Sequence, residues 1–295
     1  MKKIISILVA ALVMIGFAGC TTKFDADREI TVIARDSASG TREAFEKAVG
    51  LEDSNKASML KSGAEELAAT GAVIEKVKAD VQAIGYISAG LITKEIKALT
   101  VEGVLPTAAT IKSGAYALQR PFVVIYKPAT LGNALFADFE KFLRSKTAVD
   151  IIAEEGFVAL EGTVNEKAYG ETYTTSNLSG TINVEGSTSV GPVMEILAEE
   201  YKKLNSGVTI NVTQNGSGNG LSSAKAGTSD FGMMSKDLSS DETTVVKTQL
   251  AIDGVAIIVN TKNTYTNISK EQIKAIYIAE GKGVTQITKW SELDA

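Results

Sequence analysis

Apolar residues along this chain fall alternately into short β-branched runs and into stretches at helical spacing, a rhythm that predicts strands and helices in turn and therefore α/β layers. Residues 30–34 form a β-branched run that ends at Arg35, and Ser39-Gly40-Thr41 then opens a helix through Ala48. Residues 83–88 (AIGYIS) and 122–126 (FVVIY) read as short buried strands, and Leu135, Phe136, Phe139, Phe142 and Leu143 share one helix face. Residues 161–180 lose this periodicity and turn polar and rich in Gly and Thr, which predicts a linker. After it the pattern restarts with a strand at 181–184 and a helix entered at Pro192, where proline suits a first turn. Val193, Ile196, Leu197, Tyr201 and Leu204 stripe that helix. A strand at 208–212, a Gly/Ser loop, a strand near Phe231, a strand at 254–259, a helix over 270–278 and a turn before Trp290 complete the pattern.

The amino-terminal end follows a different logic. Lys2 and Lys3 precede an apolar run over residues 4–17 and then Ala18-Gly19-Cys20, the layout of an export signal. The run is short for a membrane-spanning helix, which needs about 20 apolar residues. Ala-Gly-Cys resembles a bacterial lipobox, with Phe17 a less usual residue at its first position. That resemblance implies a signal peptide over residues 1–19, a lipidated Cys20 at the mature end and a short tether over residues 20–28. The alternative is a plain secreted protein in which Cys20 is incidental.

Composition narrows the chemistry. The 295 residues are 44% hydrophobic and 22% charged, the balance of a globular protein of one large domain or two lobes. Thirty Lys and Arg against 35 Asp and Glu give a net charge of −5, so no basic surplus is available to grip nucleic acid. The absence of histidine removes imidazole bases, His-based triads and His metal sites, and a single cysteine leaves no intrachain disulfide or thiolate cluster. No motif frames carboxylates or lysines as a hydrolytic set. These observations disfavour an enzyme and predict no metal and no cofactor.

Three loops join a strand to a helix through Gly, Ser and Thr: residues 35–41 (RDSASGT), 186–189 (GSTS) and 216–220 (GSGNG). Such loops leave backbone N–H groups unobstructed at a helix N-terminus, whose dipole also favours an anion. Arg35 adds a fixed cation with a planar fork suited to oxyanion oxygens. Each loop alone is also compatible with ordinary N-capping. Together they predict an anion site.

Residues 30–45 (ITVIARDSASGTREAF) resemble the arginine-containing ligand loop of the phosphate-binding proteins of bacterial ABC transporters (PstS-like). Residues 182–201 are similar to that family's opening strand, loop and helix, and residues 215–238 to its second loop and following strand. Residues 84–88, 103–107, 253–260 and 272–290 match further family segments, so the resemblance covers nearly the whole chain after residue 28. It implies a two-lobed, type II periplasmic-binding-protein fold with a ligand cleft between the lobes, and no catalysis.

The segment order departs from the family. There the Gly-Ser-Thr-Ser segment comes first, and the Ser-Gly-Thr segment follows the tryptophan turn. Here the chain starts just before Arg35 and ends just after Trp290, and residues 161–180 join the usual end to the usual start. Circular permutation is the simplest account, since two-lobed domains with surface termini tolerate it; two half-modules pairing with neighbouring chains are the alternative. On this reading one lobe combines residues 29–120 with 261–295 and carries Arg35. The other holds residues 121–260 with Thr188 and Ser217. The crossovers lie at 118–122 and 260–262.

The resemblance implies a ligand set of Thr188, Ser189, Ser217 and Ser235 from one lobe and Arg35, Ser39, Gly40 and Thr41 from the other. Ser235 stands where many members place an Asp that accepts the proton of hydrogen phosphate. Lys236 beside it reads either as a substitute cation or as a solvated charge, and Asp36 and Ser37 as groups that orient the Arg35 guanidinium or face water. Asp36, Asp230 and Asp237 are the carboxylates that could replace the missing Asp. The implied function is a lipid-anchored extracytoplasmic receptor, monomeric, that hands inorganic phosphate to an ABC permease and its ATPase. A sensor or adhesin-like module of the same fold, with another oxyanion or no transported ligand, is the alternative.

Overall fold

The computed structural model describes residues 23–294, so the export signal and Cys20 lie outside the described residues. The chain runs through β1 (Thr31–Arg35), α1 (Gly40–Val49), β2 (Glu65–Leu67), α2 (Thr70–Ala79), β3 (Ala83–Ser88), β4 (Ile96–Ala98), β5 (Thr100–Val101) and α3 (Ala108–Lys112). It continues with β6 (Gln119–Tyr126), α4 (Ala134–Leu143), α5 (Lys146–Glu154), β7 (Val158–Ala159), β8 (Gly162–Val164), β9 (Lys167–Tyr169), β10 (Ser179–Gly186) and α6 (Gly191–Leu204). Last come β11 (Gly207–Gln214), α7 (Ser217–Ala226), β12 (Phe231–Met234), β13 (Val246–Asn260), β14 (Asn267–Ile268) and α8 (Lys270–Tyr277).

The main sheet has the order β11-β10-β12-β6-β13-β3-β1-β2, and it is two half-sheets joined by a shared strand. In one half β10 lies between β11 and β12, parallel to both. In the other β1 lies between β2 and β3, again parallel to both. The antiparallel strands β6 and β13 connect the halves. Residues 246–254 of β13 pair with β6, and residues 255–259 pair with β3. One strand therefore belongs to both lobes. Pro121 sits in β6 beyond the reach of β12, which pairs only with Val123, Val124 and Ile125, so its missing N–H breaks no ladder bond there.

The two largest hydrophobic clusters match the two halves. Phe122, Phe139, Phe142, Tyr201 and Phe231 pack in one, and Phe45, Tyr86, Tyr277 and Trp290 in the other. The helical stripe 135–143 faces the first core, as Leu135, Phe139, Phe142 and Leu143 are buried on α4. On α6, Val193, Leu197 and Tyr201 are buried, but Ile196 and Leu204 stay exposed. The periodic stripe was thus wider than the face that packs.

Three sequence expectations change. The crossover expected at 260–262 lies at 252–254, because residues 255–260 pair with β3 and β4 and so belong with Arg35. The expected linker contains the β8–β9 hairpin, bound to the body through Lys167 and Tyr169. Its polar composition hid this docking because the anchoring groups are a lysine and a tyrosine hydroxyl. The expected tether is docked from Phe24 onward: Phe24 packs edge-on against Trp290 at 6.0 Å, and Ser291 N donates to Ala26 O at 2.8 Å.

The hairpin anchor gives a measurable result. Glu140 Oε1 accepts from Lys167 Nζ at 2.6 Å and Thr248 Oγ1 at 2.6 Å, while Oε2 accepts from Arg144 Nη2 at 2.8 Å. Burial disfavours the Glu140 charge, but the donors Arg144, Lys167 and Thr248 outweigh it and hold the carboxyl down to about 2. A folded-state value below the unfolded one contributes stability above the ordinary 4.5, and this contribution fades as pH falls toward 2. Glu140→Gln is expected to cost roughly 2–3 kcal/mol in urea unfolding at pH 7, between an exposed and a fully buried ion pair. The difference from the unsubstituted protein should shrink at pH 3; an equal cost at both pH values would refute the assignment.

Candidate functional site

Four strand-to-helix turns meet between the lobes, each at the carboxyl end of a parallel strand, where α/β sheets place their ligands. They are β1 to α1, β2 to α2, β10 to α6 and β11 to α7. The two half-sheets share a plan: the central strand leads to one helix and its parallel outer neighbour to the other. By this correspondence Thr70, the first residue of α2, occupies the place that Ser217 holds at α7. The first N–H groups of each helix have no partner within the helix, so four sets of donors point toward one region.

Arg35 anchors this region from the end of β1. It is 2% exposed, and its guanidinium is fixed by Nε to Leu67 O at 3.0 Å and Nη2 to Ala68 O at 2.8 Å. Nη1 donates to Thr70 Oγ1 at 3.1 Å and Nη2 to Thr188 Oγ1 at 3.0 Å, the second bond crossing between lobes. Burial pulls the Arg35 pKa down to about 10, with neighbouring Arg120 adding to the effect and Tyr86 and Asp36 opposing it. The group remains a cation at neutral pH. Asp36 does not bind the guanidinium; its buried Oδ1 has no hydrogen-bond partner. The carbonyls of residues 67 and 68 do the orienting expected of Asp36 and Ser37.

Further contacts tie the halves together. Thr41 Oγ1 lies 3.0 Å from Ser189 Oγ, and Thr70 Oγ1 lies 3.1 Å from Thr188 Oγ1 and 3.3 Å from Ser189 Oγ. Gly218 N donates to Ala38 O at 3.0 Å. Ser39 is the N-cap of α1 and accepts from Arg42 N. Ser217 Oγ accepts from Ser235 N at 3.1 Å and lies 3.3 Å from Ser235 Oγ. Gly40 sits against this serine pair so closely that a Cβ would come within 2.5 Å of Ser217 Oγ and 3.1 Å of Ser235 Oγ. All eight residues named from sequence, Arg35, Ser39, Gly40, Thr41, Thr188, Ser189, Ser217 and Ser235, are therefore gathered in this region and buried.

Residues 218–220, expected in a loop, form the first turn of α7 instead. Glycine is required at 220 because a Cβ there would meet Glu185 O at 2.7 Å, so only a bare backbone lets α7 lie flush on β10. Lys236 pairs with Glu43 of α1 across the lobes, which makes it a bridge at the rim. Asp230 accepts from Asn183 N at the opposite end of β12, and Asp237 pairs with Lys247. Neither carboxylate reaches the site.

Sequence reasoning missed Thr70 and a buried charge pair. Arg120 Nε donates to Asp253 Oδ2 at 2.9 Å and Nη1 to Ser235 O at 3.3 Å, while Ser88 Oγ donates to Asp253 Oδ1 at 2.8 Å. Burial pushes Arg120 down and Asp253 up, and each one's charge counters the shift of the other. The pair joins β6 to β13 beneath Ser235. Its signal was visible: a lone charge stands in each of two largely apolar strand runs, Arg120 in LQRPFVVIY and Asp253 in LAIDGVAIIV. Thr70 gave no such signal, since Ala69 offers no side-chain cap to mark the helix start.

Chemically, the region offers one buried guanidinium, the hydroxyls of Ser39, Thr41, Thr70, Thr188, Ser189, Ser217 and Ser235, and helix N-terminal N–H groups. Among the described residues no group of carboxylates or cysteine is placed to hold a metal ion. Such a set complements a small oxyanion.

Comparison with known proteins agrees with this architecture. Residues 11–147 and 171–295 match the family model described as a PBP superfamily domain. The chain is 33% identical to phosphate-binding protein PstS 2 of Streptococcus pneumoniae, over 99% of both chains. It is 34% identical to phosphate-binding protein PstS 2 of Streptococcus agalactiae, over 99% of this chain and 98% of that one. A crystal structure of a phosphate-binding protein of a phosphate ABC transporter from Streptococcus pneumoniae superposes with a TM-score of 0.69 at 36% identity, covering 90% of this chain and 99% of that one. These relatives are named for binding.

Proposed function

This chain belongs to the PBP superfamily and to the family of the streptococcal phosphate-binding proteins, and from that premise we propose that it captures inorganic phosphate outside the cytoplasm for an ABC importer. The observation that carries the proposal is the cross-lobe cluster in which Arg35 meets Thr188 while Thr41 meets Ser189. An oxyanion held there touches both lobes at once, so it favours the closed arrangement by its extra contacts in that state. In this reading Arg35, Ser39, Gly40 and Thr41 bind from one side and Thr188, Ser189, Ser217 and Ser235 from the other. The permease and ATPase of the importer are the partners, and lipid on Cys20 holds the monomeric receptor at the membrane.

The segment order is part of the same proposal. Both ends of the described chain meet in the Arg35 lobe, where Ile30 N donates to Thr288 O at 2.7 Å and Ser291 N to Ala26 O at 2.8 Å. In a circular permutation the break falls where a continuous family chain would run from the tryptophan turn into β1, and this proximity supports that account.

Ser235 determines what the site can discriminate. Hydrogen phosphate has a proton to donate and sulfate has none, so a carboxylate at this position would favour phosphate and repel sulfate. A serine hydroxyl both accepts and donates. Titration calorimetry is expected to show phosphate binding with a preference over sulfate of only about 1 kcal/mol, the size of one neutral hydrogen bond. Ser235→Asp should sharpen that preference by excluding sulfate. Tight binding of another oxyanion with no binding of phosphate would overturn the ligand assignment.

A further inference from the structure

The pairing of β12 with β6 ends at Met234, opposite Val123, so Ser235 is the first residue beyond that ladder. Two bonds to side chains fix its backbone instead. Ser235 N donates to Ser217 Oγ at 3.1 Å, and Ser235 O accepts from Arg120 Nη1 at 3.3 Å. With its backbone pinned in this way, the Ser235 hydroxyl stands 3.3 Å from Ser217 Oγ. It also lies against the turn of the other lobe, where a Cβ at Gly40 would come 3.1 Å from it.

Arg120 is itself aimed by a chain of buried contacts. It stands directly opposite Asp253 in the β6–β13 ladder, and both residues are almost wholly buried. Nε and Nη2 lie 2.9 and 2.8 Å from Asp253 Oδ2, which leaves Nη1 for the Ser235 carbonyl. The guanidinium lies 5.2 Å from the Phe122 ring, on the same face of the strand. From β3, Ser88 Oγ donates to Asp253 Oδ1 at 2.8 Å and holds the carboxylate in turn. A planar fork grips a carboxylate and a carbonyl at once, whereas a lysine is a point charge on one nitrogen.

We propose that Arg120 and Asp253 are positioning residues of the anion site, acting on the ligand through the Ser235 hydroxyl. The proposal rests on the reading of this cluster as a phosphate site. Ser217 engages the Ser235 N–H and Arg120 its carbonyl, so the hydroxyl is the group that Ser235 has left for an oxyanion. Without the grip of Arg120 the ligand must order that hydroxyl itself, and the entropy of ordering offsets the bond gained.

Arg120→Lys separates position from charge. Its cation still faces Asp253, so no buried carboxylate is left alone, but its single nitrogen, engaged there, releases the Ser235 carbonyl. Titration calorimetry is expected to show phosphate bound about fivefold more weakly by Arg120→Lys and about fivefold more weakly by Ser235→Ala, the worth of one neutral hydrogen bond. The double variant should stay within about twofold of Ser235→Ala, because the group that Arg120 positions is gone. Arg120→Met combined with Asp253→Asn removes both charges together, and should show the same loss and the same coupling to Ser235→Ala. A general loosening of the fold would instead weaken binding by one factor with or without the Ser235 hydroxyl. That additive result, about 25-fold for Arg120→Lys with Ser235→Ala, would overturn the proposal. Unchanged phosphate affinity in both Arg120 variants would overturn it as well. Failure of the unsubstituted protein to bind phosphate would refute the reading on which the proposal stands.

Discussion

Arg35→Ala should abolish most of the phosphate affinity, weakening it by about 2–3 kcal/mol, the worth of hydrogen bonds to a buried charged group. That corresponds to roughly 30- to 160-fold in Kd. The loss follows from how the guanidinium is held. Two backbone carbonyls fix Nε and Nη2, so the fork reaches Thr70 and Thr188 without further loss of side-chain freedom. Arg35→Lys restores charge but not the planar fork, and should recover only part of the affinity. Because the truncation also leaves Leu67 O and Ala68 O without their donor, unfolding should be followed alongside calorimetry. A folded Arg35→Ala protein with unchanged phosphate affinity would remove Arg35 from the site.

Gly40→Ala is expected to block closure while sparing the fold of each lobe. The added Cβ would come within 2.5 Å of Ser217 Oγ and 2.9 Å of Ser217 Cβ. Rotating the serine relieves the first contact but not the second, because Cβ is fixed by the backbone of α7. The clash exists only when the lobes meet, so the ligand-free protein can avoid it by staying open. Phosphate affinity should fall by about 1–3 kcal/mol, the usual cost of overpacking, while the melting temperature without ligand holds. Small-angle scattering should show compaction with phosphate in the unsubstituted protein and much less in Gly40→Ala. Gly63→Ala, where an added Cβ meets nothing within 4 Å, is the control. Undiminished compaction and affinity in Gly40→Ala would mean that this contact does not limit closure.

A buried ion pair is weak evidence for stability on its own, since hydrophobic residues often replace one without loss. Arg120 and Asp253 are better understood by their position. They pin β6 to β13 where the chain passes between lobes, and Arg120 also holds the carbonyl of Ser235. Ser88 brings β3 of the Arg35 lobe to the same carboxylate. The floor of the cleft is thus tied by charge at the place where the lobes share a strand. Lys236 and Glu43 make a second, exposed tie at the rim.

The local elements and the chemistry of three turns were legible from residue order alone. Residues 83–88 form β3 with all six positions buried, and residues 270–278 form α8 to within one residue. Periodicity and β-branched runs report burial and backbone preference over a few residues, and those are local properties. The Gly, Ser and Thr of the turns after β1, β10 and β11 could be recognised because their composition is itself the requirement for exposed N–H donors. Which distant groups meet depends on the packing of the whole chain. Thr70 enters the site because β2 lies beside β1 and aims α2 at the same point, though nothing local marks that helix start. Lys167 is an anchor rather than a linker residue because Glu140 lies buried opposite it. The lobe boundary falls within β13 because the pairing partner changes from β6 to β3 partway along one continuous apolar run. A strand's sequence encodes that it will be buried, and its neighbours decide in which lobe.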